Sequence, residues 1–420
     1  MYTRRMPAPV DPRAAIRRFL SRDGERDAQA RFLAELVRTP SDNPPGDCGP
    51  HAERTHALLQ SLGLKAERHV VPPEAVLAAG LVSCTNLVVR ERFGEGGPVV
   101  ALNAHGDAVA PGAGWSVDPY GAEIRDGVMF GRGVAVSKSD FATYAWALLA
   151  LREAKAPLRG AVELHFTYDE ETGGEIGPAW LLAQGISRPD YVISAGFSHA
   201  VTLAHNGCLH LEVTVTGRSG HAAQPETGID ALEAATGILG GLYEYRATLA
   251  ERRSATAGIG HPTLVVGLIS GGINTNVVPD EVRFRLDRRI LPEESPEDAE
   301  RELRERITRL AFSRPGIRIA IRRVLLAQPF RPVPGQERLV RTLQDNARRV
   351  LGKAIPARGV PLYTDARHYS AAGIPTVLYG AGPESLEEAN GHRADEQLRL
   401  SDLHAATEVV ALTLFDLLQP

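Results

Sequence analysis

Three short stretches carry side chains whose types and spacing suit hydrolytic chemistry at a metal ion. NAHGD puts His105 and Asp107 two residues apart at the end of the apolar run PVVALNAH. On a strand that spacing sends both side chains to one face. A carboxylate beside an imidazole fixes its tautomer and strengthens the other ring nitrogen as a ligand. YDEETGG sets Asp169, Glu170 and Glu171 in a row where the run GAVELHFTY gives way to a glycine turn. Adjacent carboxylates repel one another unless a cation lies among them or water screens them. Neighbours at a strand end point in different directions, so one Glu can hold a metal while the next acts as general base. NGHRADE adds His392 in a loop ahead of a helix. Taken singly, each stretch has a plainer reading: a capped loop, a solvated acidic turn, a surface histidine.

The elements that must position these groups are legible as periodicity. DAQARFLAELV and HAERTHALLQSLGL space their apolar residues as amphipathic helices. TNLVVRERF, PVVALNAH and GAVELHFTY are short apolar runs separated by helical segments such as FATYAWALLALREA, which predicts a sheet covered by helices. In such folds the chemistry sits where strands end, and His105 and Glu170 fall at such ends. From about residue 207 the texture changes. LHLEVTVTG alternates with period two, DALEAATGILGGLYEY reads as a helix, and TLVVGLISGG, EVRFRLDRRI and IRIAIRRVLL read as further strands, a compact α+β insertion. GIPTVLYGAG then returns to the first sheet. The expected fold class is α/β: an αβα catalytic domain with a mixed, mostly parallel sheet, formed by residues 1–206 and 326–420, plus an inserted α+β domain over 207–325.

Bulk properties narrow the partners. The chain has 420 residues with 47 Lys and Arg against 51 Asp and Glu. That balance leaves no electrostatic footprint for nucleic acid or an anionic membrane. No stretch is long and apolar enough to span a bilayer, and Pro, Asp and Arg interrupt any leader-like start, so a cytoplasmic location is expected. Whether the Arg-rich first ~25 residues form a helix or a loose arm stays open. Cys48, Cys84 and Cys208 are odd in number and far apart. This argues against a disulfide framework or a zinc ribbon and leaves His and carboxylates as the expected metal donors.

Taken together, NAHGD, GWSVDPYGAEIRDGVMFGRG, YDEETGG, GRSGHAAQP, GGINTNVVPDE, LDRRILP, TDARHY, GIPTVLYGAG and NGHRADE resemble, in order and spacing, the M20 metallopeptidase family, whose members include aminoacylase, carboxypeptidase and succinyl-diaminopimelate desuccinylase types. The resemblance implies a lid domain that also dimerises, and a centre of one or two divalent ions, Zn or Mn with Co as a further option. It implies His105, Glu171 and His392 as ligands, Asp107 behind His105, and Glu170 as general base. His221 resembles the lid histidine that reaches a neighbouring subunit's site and polarises the scissile carbonyl. Asn276, Arg289 and the Gly380 loop resemble the groups that grip a substrate carboxylate. Each also has a local reading: His221 capping a turn, Asn276 as a turn residue, Arg289 paired with Asp287.

Two positions depart from the family pattern. In GRGVAVSKSD, residues 131–140, the usual bridging Asp is replaced by Val136, which cannot ligate. Asp140 lies one helical turn on, as a substitute ligand or a plain helix cap. In PDYVISAGFSH the family's Glu ligand is replaced by Gly196, with His199 the nearest substitute and His205 and His210 as competitors. The expected activity is hydrolysis of an amide or related C–N bond in a small carboxylate-bearing substrate, of N-acyl amino acid or dipeptide type, by a homodimer or higher homo-oligomer. Hydrolytic deamination of an activated amine on the same fold is one alternative. A catalytically inactive binding protein is the other, motivated by Val136 and Gly196 and opposed by the intact DEE triplet.

Overall fold

The strand Val99–His105 is buried almost throughout, and its neighbour Gly160–Thr167 is buried at every residue. Runs so continuously apolar suit a strand covered on both faces. The two lie parallel with His105 level with Thr167, and Gly106 donates to the Thr167 carbonyl at 2.8 Å. NAHGD and YDEETGG therefore leave the sheet side by side. The structure is a computed structural model that describes residues 11–312, 314–385 and 387–420.

The chain divides into two compact units, one made of residues through Leu203 with Pro332–Ala357 and Thr364–Pro420, the other of Ala204–Arg331 with Arg358–Tyr363. Among the described residues, a sheet of eight strands runs in the order Ala66–Val70, Thr85–Gly94, Gly160–Thr167, Val99–His105, Tyr191–Ser194, Thr376–Leu378, Val201–His205, Ala357–Val360, and its first six strands belong wholly to the first unit. Its centre is parallel and its flanks bring in antiparallel partners. The helix Lys138–Ala154 is buried nearly all round because it packs against Pro12–Leu20, Asp23–Val37 and Leu400–Leu417. Phe141 of this helix stacks on Phe166 of the sheet, with ring centroids 4.0 Å apart. The Arg-rich start is thus helical over Pro12–Leu20; residues 1–10 lie outside the described ones.

In the second unit the strands run in the order Thr263–Gly271, Glu281–Ile290, Gly207–Thr216, Arg318–Ala327, all antiparallel. Leu209, Leu211, Val213 and Val215 alternate inward against Ile238 and Leu242 of the helix Ala231–Leu249 and Leu303 and Ile307 of the helix Pro296–Phe312. No helix among the described residues is long and apolar enough to cross a membrane.

A polar network lies within the first unit's sheet. Glu163 accepts from Arg90 Nε at 3.0 Å and from Ser187, and its Oε2 lies 3.0 Å from His165 Nε2; His165 Nδ1 meets the Tyr369 hydroxyl at 2.9 Å. Burial pushes the Glu163 pKa up, but these partners outweigh it and bring it from 4.5 down to about 2. A folded-state pKa below the unfolded one stabilises the fold above pH 4.5 and ceases to do so as pH falls towards 2. The shift corresponds to at most ~3 kcal/mol. Glu163→Gln is expected to lower the urea midpoint at pH 7, with the two proteins converging as the pH approaches 2. Parallel midpoint curves across that range would remove the argument.

Candidate metal centre

The parallel register delivers His105, Glu170 and Glu171 to one spot, and their ligand atoms all lie within 4.8 Å of one another. Asp107 organises them. Its buried carboxylate lies 3.3 Å from His105 Nδ1 and accepts from Asn43 Nδ2 at 3.0 Å and from the backbone N–H groups of Glu170 and Glu171 at 3.3 and 3.1 Å. Burial opposes its charge, yet these donors, His105 foremost, hold its pKa below the ordinary value. With Nδ1 so engaged, His105 turns Nε2 towards Glu170 Oε2, 3.9 Å away.

Within the cluster each charge acts on the others. Burial opposes a charged imidazole, but the Glu170, Asp107 and Glu171 carboxylates raise the His105 pKa well above normal. Burial, with the neighbouring carboxylates, raises Glu170 well above the usual carboxylate range, against the pull of His105. His392, at φ 61°, places Nε2 3.4 Å from Glu171 Oε1, and 52% of its side chain is exposed. Glu171 raises its pKa as well.

Sequence reasoning assigned no role to a group of residues that brace this cluster. Asp365 of TDARHY accepts from Thr167 Oγ1 at 3.3 Å, and burial raises its pKa to about 7. Arg367 donates to the Gly173 carbonyl, and His368 Nε2 lies 2.9 Å from the same oxygen, so TDARHY clamps the glycine turn of YDEETGG. Asp169 accepts from Ile176 N at 2.7 Å and fixes the turn's far side. Asn43 stands in SDNPPG, which offered no periodic or chemical signal.

GRGVAVSKSD wraps a carboxylate rather than supplying one. Glu396 accepts from Arg132 Nη1 at 2.6 Å and from the N–H groups of Gly133, Ala135 and Val136 at 3.1, 3.0 and 3.2 Å. Arg132 also donates to the carbonyls of Pro111 and Arg393, at 3.2 and 3.1 Å, so the loop fixes the segment that carries His392. Ser137 clips the loop to the strand end, exchanging hydrogen bonds with His105 N and O at 3.1 and 3.0 Å. The Val136 side chain packs against the core.

The expected substitutes for the missing ligands have other partners in this structure. Asp140 accepts from Ala381 N at 2.7 Å and Gly196 N at 3.3 Å, and burial raises its pKa to about 7. It therefore holds two loops from the helix Lys138–Ala154, and the cluster does not include it. A Cβ on Gly380 would collide with that carboxylate, which accounts for a glycine there by packing. His199 places Nε2 3.7 Å from Asp402 Oδ1 and likewise stands outside the cluster. His205 Nδ1 lies 2.9 Å from the Asn206 carbonyl, and His210 Nε2 lies 2.9 Å from Asp287 Oδ2.

In the second unit His221 Nδ1 accepts from Ala223 N at 3.0 Å, a turn cap. The exposed Asn276 offers its carbonyl to Ala222 N at 3.0 Å. Arg289 Nε donates to Asp287 Oδ1 at 3.0 Å and lies over the Tyr363 ring. The local readings of His221 and Arg289 are thus present in the fold.

Comparison with known proteins points the same way as the motifs. Residues 101–416 match the description Peptidase family M20/M25/M40. The chain is 28% identical over 397 residues to succinyl-diaminopimelate desuccinylase 2 of Ruegeria sp. (strain TM1040), covering 92% of this chain and 94% of that one. It is 30% identical over 377 residues to acetylornithine deacetylase of Edwardsiella ictaluri (strain 93-146), covering 86% and 91%. Its fold is similar to that of the Bacillus subtilis YXEP protein, a dinuclear metal binding peptidase, with a TM-score of 0.66 at 15% identity over 94% of this chain and 99% of that one. A histidine and acidic pair at two parallel strand ends, inside a match that spans most of the sequence, leave one assignment: the chain belongs to peptidase family M20/M25/M40.

Proposed function

We propose that the protein hydrolyses the amide bond of a small carboxylate-bearing N-acyl amino acid or dipeptide, using one divalent ion, Zn or Mn, held by His105, Glu171 and His392. As a family member it is a metallohydrolase of C–N bonds. The observation that carries the finer reading is the convergence of His105, Glu170 and Glu171 above a buried Asp107. A nitrogen and oxygen donor set suits Zn, Mn and Co. The set fits one ion, since Val136 and Gly196 offer no ligand and Asp140 is held by two backbone N–H groups.

When bound, the ion polarises the scissile carbonyl and makes water acidic enough to react near neutral pH. Glu170 takes the proton from the attacking water and returns it to the leaving nitrogen. Asp107 keeps His105 in the tautomer whose Nε2 is free for the ion. Arg289 and Asn276 are assigned to the substrate carboxylate, and His221 to the carbonyl, on the family pattern.

Chelator-stripped protein resupplied with Zn, Mn or Co should hydrolyse members of a panel of N-acetyl and N-succinyl amino acids and dipeptides. No turnover on any member with any of these ions would sink the reading. A homodimer is part of it. The edge strand Thr263–Gly271 exposes Val265 (52%), Leu268 (61%) and Ile269 (55%), an apolar edge that pairing with a second copy would cover. A monomer in sedimentation at micromolar concentration would remove that part alone.

A further inference from the structure

Thiol, imidazole and carboxylate meet on the second unit in a way their sequence positions conceal. The strand Gly207–Thr216 sends Leu209 and Leu211 into the core, which leaves Cys208 and His210 together on the opposite face. The antiparallel partner Glu281–Ile290 sets Asp287 opposite His210 and Arg289 opposite Cys208. Facing pairs on one side of a sheet stand within side-chain reach. Cys208 Sγ lies 3.1 Å from His210 Nε2 and 3.6 Å from Asp287 Oδ2, and His210 Nε2 lies 2.9 Å from Asp287 Oδ2.

Two features separate this trio from a hydrogen-bonded relay. In a relay the carboxylate takes one ring nitrogen and the nucleophile the other. Here sulfur and carboxylate both face Nε2, so the three donor atoms converge on one point instead of forming a chain. The spacing fits as well. Bond lengths of about 2.3 Å to sulfur and about 2.0–2.1 Å to nitrogen or oxygen put tetrahedral zinc ligands roughly 3.3–3.6 Å apart. The observed distances, 3.1, 2.9 and 3.6 Å, come within about half an ångström of that range.

The surroundings complete a ligand shell. Arg289 Nε holds the other Asp287 oxygen, Oδ1, at 3.0 Å, which orients Oδ2 towards the trio. Cys208 is buried, whereas 35% of the His210 and 28% of the Asp287 side chain is exposed, so the trio is partly open to solvent.

We propose that Cys208, His210 and Asp287 bind a thiophilic divalent ion of the zinc class, at a site sharing no residue with the His105 centre. The ion ties the two central strands of this sheet together at the end where Arg289 lies. The ligands of the other centre do not enter the argument, and Arg289 enters it only through its hydrogen bond to Asp287. It reverses the expectation that cysteine spacing leaves metal binding to His and carboxylates alone.

Titration of the chelator-stripped full chain with Co2+ tests the site. The expected result is a thiolate-to-cobalt charge-transfer band in the near ultraviolet, lost in Cys208→Ser, along with zinc content lower by about one ion per chain in that variant. His105→Ala, which removes a ligand of the other centre, should keep the band. Should Cys208→Ser fail to fold, the wild-type band decides. Among the described residues no other cysteine stands in a group of three potential ligands, and Cys48 and Cys84 lie in the first unit's core. A wild-type titration without the band, or a Cys208→Ser protein that keeps both band and ion, overturns the proposal.

Discussion

Glu170→Gln is expected to lower kcat by about 10^2 to 10^4 on any substrate the wild type turns over, while the metal content stays unchanged. Glutamine matches glutamate in size but cannot accept a proton, so the variant removes the proposed base and little else. The ligands assigned to the ion, His105, Glu171 and His392, remain, as do the hydrogen bonds from the Glu170 and Glu171 backbones to Asp107. A loss of that size corresponds to roughly 3–5 kcal/mol on the barrier. Glu171→Gln should act differently, with activity falling together with bound metal and partly recovering at high metal concentration. The contrast matters because both carboxylates sit in one half-buried cluster, and loss of charge alone would affect them alike. Turnover of Glu170→Gln within about threefold of the wild type, or loss of its ion, would take the base assignment away.

The elements and the chemical ends of the strands were legible because both are local. PVVALNAH and GAVELHFTY are apolar runs that end in polar residues, and the fold places them adjacent and in register. LHLEVTVTG alternates, and its apolar set faces the helices of the second unit. What was hidden depends on partners remote in sequence. Asp140 could be read as a ligand or a helix cap, but its hydrogen bonds go to Gly196 and Ala381, 56 and 241 positions away. The trio of Cys208, His210 and Asp287 exists only through strand register, which no spacing within either strand reveals. Glu396 stands four residues after His392 inside a motif singled out for its histidine, and its partner Arg132 is 264 positions away. Burial turns such distant pairs into fixed geometry, and burial is a property of the assembled fold.

That pair sets the second large effect. Arg132 and Glu396 are each only 1% exposed, and removing one member of a buried ion pair leaves the other charge uncompensated. Glu396→Ala would strand the Arg132 guanidinium and free the N–H groups of Gly133, Ala135 and Val136 as well. The expected cost is about 3–5 kcal/mol, read as a lower unfolding midpoint. Arg132→Met combined with Glu396→Leu should recover a large part of that cost, because no charge is then buried alone. Recovery should stop short of the wild type, since the three backbone donors still lack an acceptor. Metal affinity should behave otherwise. Arg132 also holds the Arg393 carbonyl beside His392, so the double variant should stay about 10- to 100-fold weaker for the ion even where it folds. If the double variant regained full metal affinity along with stability, the loop would be a structural tie and nothing more, and GRGVAVSKSD would have no part in placing His392.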